Sequence, residues 1–290
     1  MKYSSIILLW LVIVIMASSA SILTRFCKIP AVDIGFWRVF GAAIILSPIA
    51  LKSLKKDSIM KLFSKGAIIC GLLLGLHFST WCWAIQNTTI ANATLFIGLQ
   101  PLMVPFLAHW IIQERINKWE IFGLILAFLG TLWLSIRQIE LAPSQFYGSA
   151  VALFSAFLCG SYIVFGRRYR KDKNAFVFST GVFAIAALVQ GIFSIILHGK
   201  ISVGDIRTIV SLCCLIVFPT IGGHALMMFL LRYAKSQLMA LTVPAQFILA
   251  TLVSYPIFAE KPQLWFYPGA IMIMTGIVIA VWKADSGDEK

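Results

Sequence analysis

The 290 residues are 60% hydrophobic and only 12% charged, with a mean hydropathy of +0.92. A soluble domain carries charge on about a quarter of its residues, so this composition excludes a water-soluble globular protein and calls for lipid as the solvent. The net charge of +13 does not indicate nucleic acid, because the Lys and Arg residues lie in short stretches between long apolar runs, as membrane topology requires.

The first apolar run covers 6–25. It follows Lys2 and ends in Ser18, Ser19, Ala20 and Ser21, which is also the layout of a secretory signal. Cleavage there would leave an odd number of spans and destroy the internal symmetry described below, so the run is read as a retained first helix. Further runs follow at 32–51, 66–86, 90–112, 119–136, 147–166, 175–197, 208–232, 237–258 and 264–282. Open sheet edges cannot be hydrogen-bonded in lipid, so each run is expected to be helical. A span needs about 20 residues, and the fold expected is an all-α integral membrane protein of ten transmembrane helices. If the N-terminus is cytoplasmic, 17 of the 24 Lys and Arg fall on the cytoplasmic side, six on the other, and Arg38 inside the second helix. That bias predicts a multi-pass protein of the bacterial cytoplasmic membrane with both termini in the cytoplasm.

The two halves of the chain repeat each other. Glu114, Gly123 and Gly130 recur as Glu260, Gly269 and Gly276, an offset of 146 that also carries Gln100 onto Gln246; an offset of 147 carries His77 onto His224. Five helices per half is an odd number, so the second copy enters the membrane inverted. The expected units are 1–140 and 141–290. Inverted five-helix repeats of this kind are a signature of secondary transporters, whose substrate site lies near the midplane between the halves.

Several stretches carry a family likeness: ASSASILTR at 17–25, PAVDIGFWR at 30–38, HFSTWCWAIQNTTIANATLFIGLQP at 77–101 followed by Gln113 and Glu114, YIVFGRR at 162–168, and Gly223-His224 followed by Leu231, Arg232 and Tyr233. On these the chain resembles the EamA branch of the drug/metabolite transporter superfamily along nearly its whole length. The resemblance implies transport of a small metabolite across a lipid bilayer. Relatives with the Gly-His pair often carry Asn where this chain has Met228, and the proline equivalent to Pro101 falls on Phe247, with Pro244 about one turn earlier.

Candidate functional residues follow from polarity in costly places. His77 and His224 lie well inside predicted spans, where ionisable side chains are rare and face a partner or a cavity. Gln100 and Gln246 are the next pair, since an amide in mid-membrane must be satisfied internally or by water. Together these four define a candidate substrate cavity, with Trp81, Trp83, Tyr162 and Met228 as further lining. Arg38 can snorkel outward, pair with Asp33, or meet an anionic substrate. Glu114 and Glu260 end the fourth and ninth helices on opposite faces, as hairpin supports or gates. Asn117 with Glu120 reads as a capping box, and Pro262 suits the first turn of the tenth helix. Gly148, Ala152, Ala156 and Gly160 form a small-residue stripe for close helix packing, as do Gly71 and Gly75.

All eleven acidic residues fall in loops, helix ends or the C-terminal tail. No mid-span carboxylate is present to carry a proton or sodium, so any proton coupling would fall to the histidines. The six cysteines have no metal-ligand spacing, and no phosphate-binding loop is present. No metal, cofactor or catalytic group is expected. A membrane-embedded enzyme would need clustered ligands or an activated nucleophile, and a sensor or scaffold a soluble module; neither appears. Oligomeric state and substrate stay open at this level.

Overall fold

The computed structural model describes residues 1–54, 59–136, 142–170, 174–258 and 262–282, and these form helices with no strand. In chain order the helices are α1 (Tyr3–Thr24), α2 (Ala31–Ser53), α3 (Lys65–Asn87), α4 (Ile90–Ile97), α5 (Gln100–Ile112), α6 (Lys118–Ser135), α7 (Phe146–Arg170), α8 (Ala175–His198), α9 (Ile206–Leu215), a π-wound segment (Ile216–Ala225), α10 (Leu226–Leu230), α11 (Ser236–Ala240), α12 (Thr242–Phe258) and α13 (Phe266–Trp282). Nine helical segments among the described residues are long and apolar enough to cross a bilayer. The tenth expected run is α13, which at 17 residues is about 26 Å long, slightly under the ~30 Å hydrocarbon core. Large apolar side chains such as Leu8, Ile15, Trp110, Phe154 and Ile196 stand exposed around the bundle. In water they would form aggregating patches; here they face lipid.

Three of the expected continuous spans are broken, and the breaks share one cause. A proline inside a helix offers no N–H to the carbonyl four residues earlier and clashes with it. The α-helix α4 stops at Ile97, four before Pro101; α9 stops at Leu215, four before Pro219; α11 stops at Ala240, four before Pro244. Thus Pro244 breaks the ninth span as Pro101 breaks the fourth, one turn away from the position that sequence offset assigns. Pro48, Pro105 and Pro256 leave their helices continuous. The helix α13 begins at Phe266, so Pro262 lies outside it, and Pro268 instead occupies its first turn.

The antiparallel pair α6 and α13 packs most closely. A methyl added at Gly123 would lie 2.4 Å from Gly276 O, and one at Gly276 would lie 2.5 Å from Gly123 O. One turn pair away, a methyl at Gly130 would lie 2.7 Å from Gly269 O. The two backbones touch, and only glycine fits. Elsewhere α2 packs on α8, α3 lies between α7 and α8, and α1 packs on the π-wound segment and α12.

The bundle end where α1 begins and α13 finishes, the end nearest the termini in sequence, is tied by polar links: Tyr3 donates to Val281 O, Arg167 pairs with Glu114 at 2.9 Å, and Lys235 pairs with Glu120 at 3.1 Å. Glu120 also completes the expected capping box with Asn117. At the other end Asp33, fully buried, accepts from the Ser194 hydroxyl and from Ser202 N–H at 3.0 Å. Asp33 therefore pins the turn after α8 and is not the partner of Arg38.

Candidate functional site

The polar interior is built where α2, α3, α7 and the π-wound segment meet. On α3, His77 places Nδ1 2.9 Å from Ser155 Oγ and 3.0 Å from Ser155 O, both on α7. The Ser155 hydroxyl in turn donates to His77 O at 3.0 Å. A carbonyl can only accept, so Nδ1 carries a proton, and in the neutral ring Nε2 keeps its lone pair.

Next to it on α3, the Phe78 ring forms the hub. The His224 ring meets it edge-on at 5.4 Å, the His77 ring lies at 5.4 Å, and the Arg38 guanidinium sits over it at 4.8 Å. Tyr162, fully buried on α7, lies 6.0 Å from His224. Among the described residues the Tyr162 hydroxyl and His224 Nδ1 are buried without a hydrogen-bond partner, although the His224 ring as a whole is only half-buried.

The π-wound segment supplies two of these contacts. Pro219 frees Leu215 O, and the Thr220 hydroxyl donates to that carbonyl at 2.7 Å. Its oxygen then accepts from Arg38 Nε at 3.2 Å. One turn on, the same segment presents His224. Winding with i→i+5 bonds is rare and concentrates at functional sites. Gly222 and Gly223 let α1 approach it at Met16 and Ala17.

The structure thus places His77, His224 and Tyr162 in one neighbourhood, with Arg38 beside them. Phe78, Ser155 and Thr220 belong to it and were not singled out from the sequence; Thr220 stands one turn before His224, and that spacing is the signal that could have found it.

Other candidates lie elsewhere. Gln100 is fully enclosed beside Gly160 of α7, and both of its amide atoms lack a partner among the described residues. Gln246 is half-buried on α12, and among the described residues no hydrogen bond joins either amide to the histidines. Trp81 packs with Ala84, Ala93 and Ala152 where α3, α4 and α7 meet. Met228 is fully buried with its thioether against Gly166. The stripe Gly148, Ala152, Ala156 and Gly160 is buried throughout, against Asn87–Thr88 at one end and Val104 and Leu107 at the other. Glu260 lies outside the described residues. Among the described residues no group of His, Cys, Asp and Glu could hold a metal.

Two cavities lie outside this cluster, and none of its residues lines them. One of about 300 Å³ opens at the end where α1 begins and includes Tyr3, Glu120, Tyr233, Lys235 and Gln237. The other, about 230 Å³, is lined by Val32, Ser79, Thr80, Trp83, Val151, Phe193 and Leu197 toward the opposite end.

Among curated proteins, the chain is similar to an uncharacterized transporter of Archaeoglobus fulgidus, 25% identical over 87% of this chain and 97% of that protein. It is also similar to the S-adenosylmethionine uptake transporter of Rickettsia bellii, 22% identical over 98% and 96% of the two chains. The likeness to the uncharacterized transporter YyaM of Bacillus subtilis, 26% identical, spans 59% of this chain and 57% of YyaM. A crystal structure superposes with a TM-score of 0.80 at 18% identity, covering 99% of this chain and all of that one, which shows the shared fold. The model of the EamA-like transporter family matches twice, over residues 4–136 and 146–282, and the chain belongs to that family.

Proposed function

We propose that this protein is a secondary transporter that moves a small metabolite, an amino acid or a related polar or amphipathic solute, by alternating access. Its two halves, 1–140 and 141–290, act as inverted five-helix repeats about a central site, and both termini face the cytoplasm of a bacterial cell. The observation that carries this reading is the cluster around Phe78, in which His77 of the first half and His224 of the second converge on one ring. Polar side chains from both halves at mid-depth are what a site between repeats requires. The crosswise glycine contacts support the inversion, as does the double family match. Membrane transporters among the relatives support the class of activity.

Uptake by proteoliposomes, screened over labelled amino acids and related solutes, tests the reading. His224→Ala removes a ring whose Nδ1 has no partner among the described residues, so transport should fall while the melting temperature holds. His77→Ala also loses the bonds to Ser155, a cost of about 1 kcal/mol, yet Ser155 keeps its bond to the backbone of residue 77. Both variants retaining full transport at limiting and saturating solute would remove the histidines from the mechanism. An unperturbed imidazole titrates near ~6.5. If the histidines carry protons, uptake by wild type should vary with pH between about 5 and 8 and lose that dependence in the variants.

A further inference from the structure

We propose that Arg38 is the anchor for a carboxylate on the transported solute, an assignment that rests on the transporter reading and narrows it to organic acids and amino acids. The argument begins with charge accounting. Four carboxylates lie among the described residues, and each is engaged elsewhere: Asp33 with Ser194 and Ser202, Glu114 with Arg167, Glu120 with Lys235, and Asp205 with Thr208. No ion pair reaches Arg38 within the described residues. A guanidinium held about 10 Å into a spanning helix without a counterion is costly, and the Arg38 side chain is half-buried rather than sealed by its neighbours.

The same side chain is oriented with care. A guanidinium has five N–H donors in one plane. Nε donates to Thr220, and the face of the plane lies on Phe78, which leaves the two terminal nitrogens, with four donors, without an acceptor among the described residues. Thr220 is itself fixed because its hydroxyl is committed to Leu215 O, the carbonyl that Pro219 frees. A planar fork locked at one edge and one face is the arrangement that receives a carboxylate in bidentate fashion.

One cation also sets the charge of the ligand. The other titratable side chains at the hub are the imidazoles His77 and His224 and the phenol Tyr162. The electrostatic neighbours of Arg38 further out are the thiols Cys27 and Cys82. None of these contributes a second fixed positive charge, so a monoanion is neutralised and a phosphate dianion is not. Phe78 and His224 then border the body of the solute.

Thermal unfolding of the purified full-length chain reads binding directly. The probes are the common amino acids and simple 2-hydroxy and 2-keto acids, each beside its amide, together with inorganic phosphate. At least one acid should stabilise wild type where its amide does not. Arg38→Gln should weaken that acid by about 30-fold or more with little change for the amide, and Arg38→Lys should fall between. Thr220→Val, which removes the tether together with the bond to Leu215 O, should weaken it about tenfold, and Thr220→Ser, which keeps both bonds, should restore it, so the proposal is testable even if Arg38→Gln fails to fold. Equal stabilisation by acid and amide, no stabilisation by any acid, retention in Arg38→Gln, or a phosphate effect as large as that of the acids would each overturn it. Proteoliposome uptake separates the two claims. Arg38-dependent binding of an acid with no uptake in wild type would sink the transporter reading and leave the anion site. Equal uptake of acid and amide would do the reverse.

Discussion

Glu114 sits in the turn after α5 where burial and pairing oppose each other. Burial pushes its carboxyl above the usual range, against the downward pull of Arg167, of the Ser236 hydroxyl and amide, and of Lys235. A folded pKa above the unfolded one means that the folded chain holds the proton more tightly. Stability contributed by this group is therefore fully present below the unfolded value near ~4.3 and is lost as pH rises through the folded value. Glu114→Gln, which imitates the protonated form, should accordingly gain on wild type as pH rises from about 4 to 8. Arg167 keeps its bonds to Leu231 O and Ala234 O in that variant. Arg167→Met is the contrasting change, because it strands Glu114 as a buried carboxylate; a loss of about 1–3 kcal/mol is expected. Thermal melts of the three proteins across that pH range check both signs, and a wild-type advantage over Glu114→Gln that grows with pH would refute the assignment. The Glu114–Arg167 pair joins residues far apart in the chain, as do Asp33 with Ser194 and Arg38 with Thr220. Pairings of that kind leave no local pattern, which is why Arg38 next to Asp33 in sequence suggested a pair that the fold does not form.

At the scale of helices, the sequence was most informative where period and composition act locally. The apolar runs, the Asn117–Glu120 cap and the small-residue stripe on α7 are all short-range features, and each lies in the structure near the position read from sequence. The breaks at Ile97, Leu215 and Ala240 were less legible because six internal prolines look alike in sequence and only three interrupt their helices; a hydroxyl takes the freed carbonyl both at a break, Thr220 on Leu215 O, and in the unbroken α2, Ser47 on Ile44 O, so that bond does not tell the two apart. The glycines separate by what a side chain would meet. At Gly160 an added methyl meets side chains alone, Val104 at 3.2 Å, Leu107 at 3.5 Å and Gln100 at 3.8 Å, so Gly160→Ala should cost under about 1 kcal/mol, whereas Gly160→Leu should overpack against Val104 and Leu107 by about 1–3 kcal/mol. At Gly123 the obstacle is the backbone of α13 at 2.4 Å, which cannot rotate away. Gly123→Ala should therefore cost more than Gly160→Ala, at the upper end of that ~1–3 kcal/mol range or beyond. Yield and detergent melting temperature of the three variants rank these effects, and Gly123→Ala behaving like Gly160→Ala would show that α6 and α13 separate easily.

For the whole molecule, the α6–α13 contact has the form of an isologous interface within one chain. The repeat offset carries Gly123 onto Gly269 and Gly130 onto Gly276. A two-fold relation then turns the Gly123–Gly276 contact into a Gly269–Gly130 contact, and both are present. Reciprocity of this kind is what symmetry demands of an interface. If the relation is an axis in the membrane plane, corresponding loops of the two halves face opposite compartments, and one labelling experiment tests inversion and orientation together. Lys61 and Arg232 are exposed at the end where α1 begins, and Ser144 and Lys200 are exposed at the other. Single cysteines at Lys61 and Arg232 should react with a membrane-impermeant maleimide only after the cells are opened, and cysteines at Ser144 and Lys200 should react in intact cells, each read against the chain with its six native cysteines replaced. The inside excess of Lys and Arg sets that direction. Reaction of Lys61→Cys and Arg232→Cys from outside, with Ser144→Cys and Lys200→Cys protected, would reverse the orientation while keeping the bundle intact. Protection of one position and reaction of the other at the same end would break the span count between them, and with it the inverted pairing of the halves.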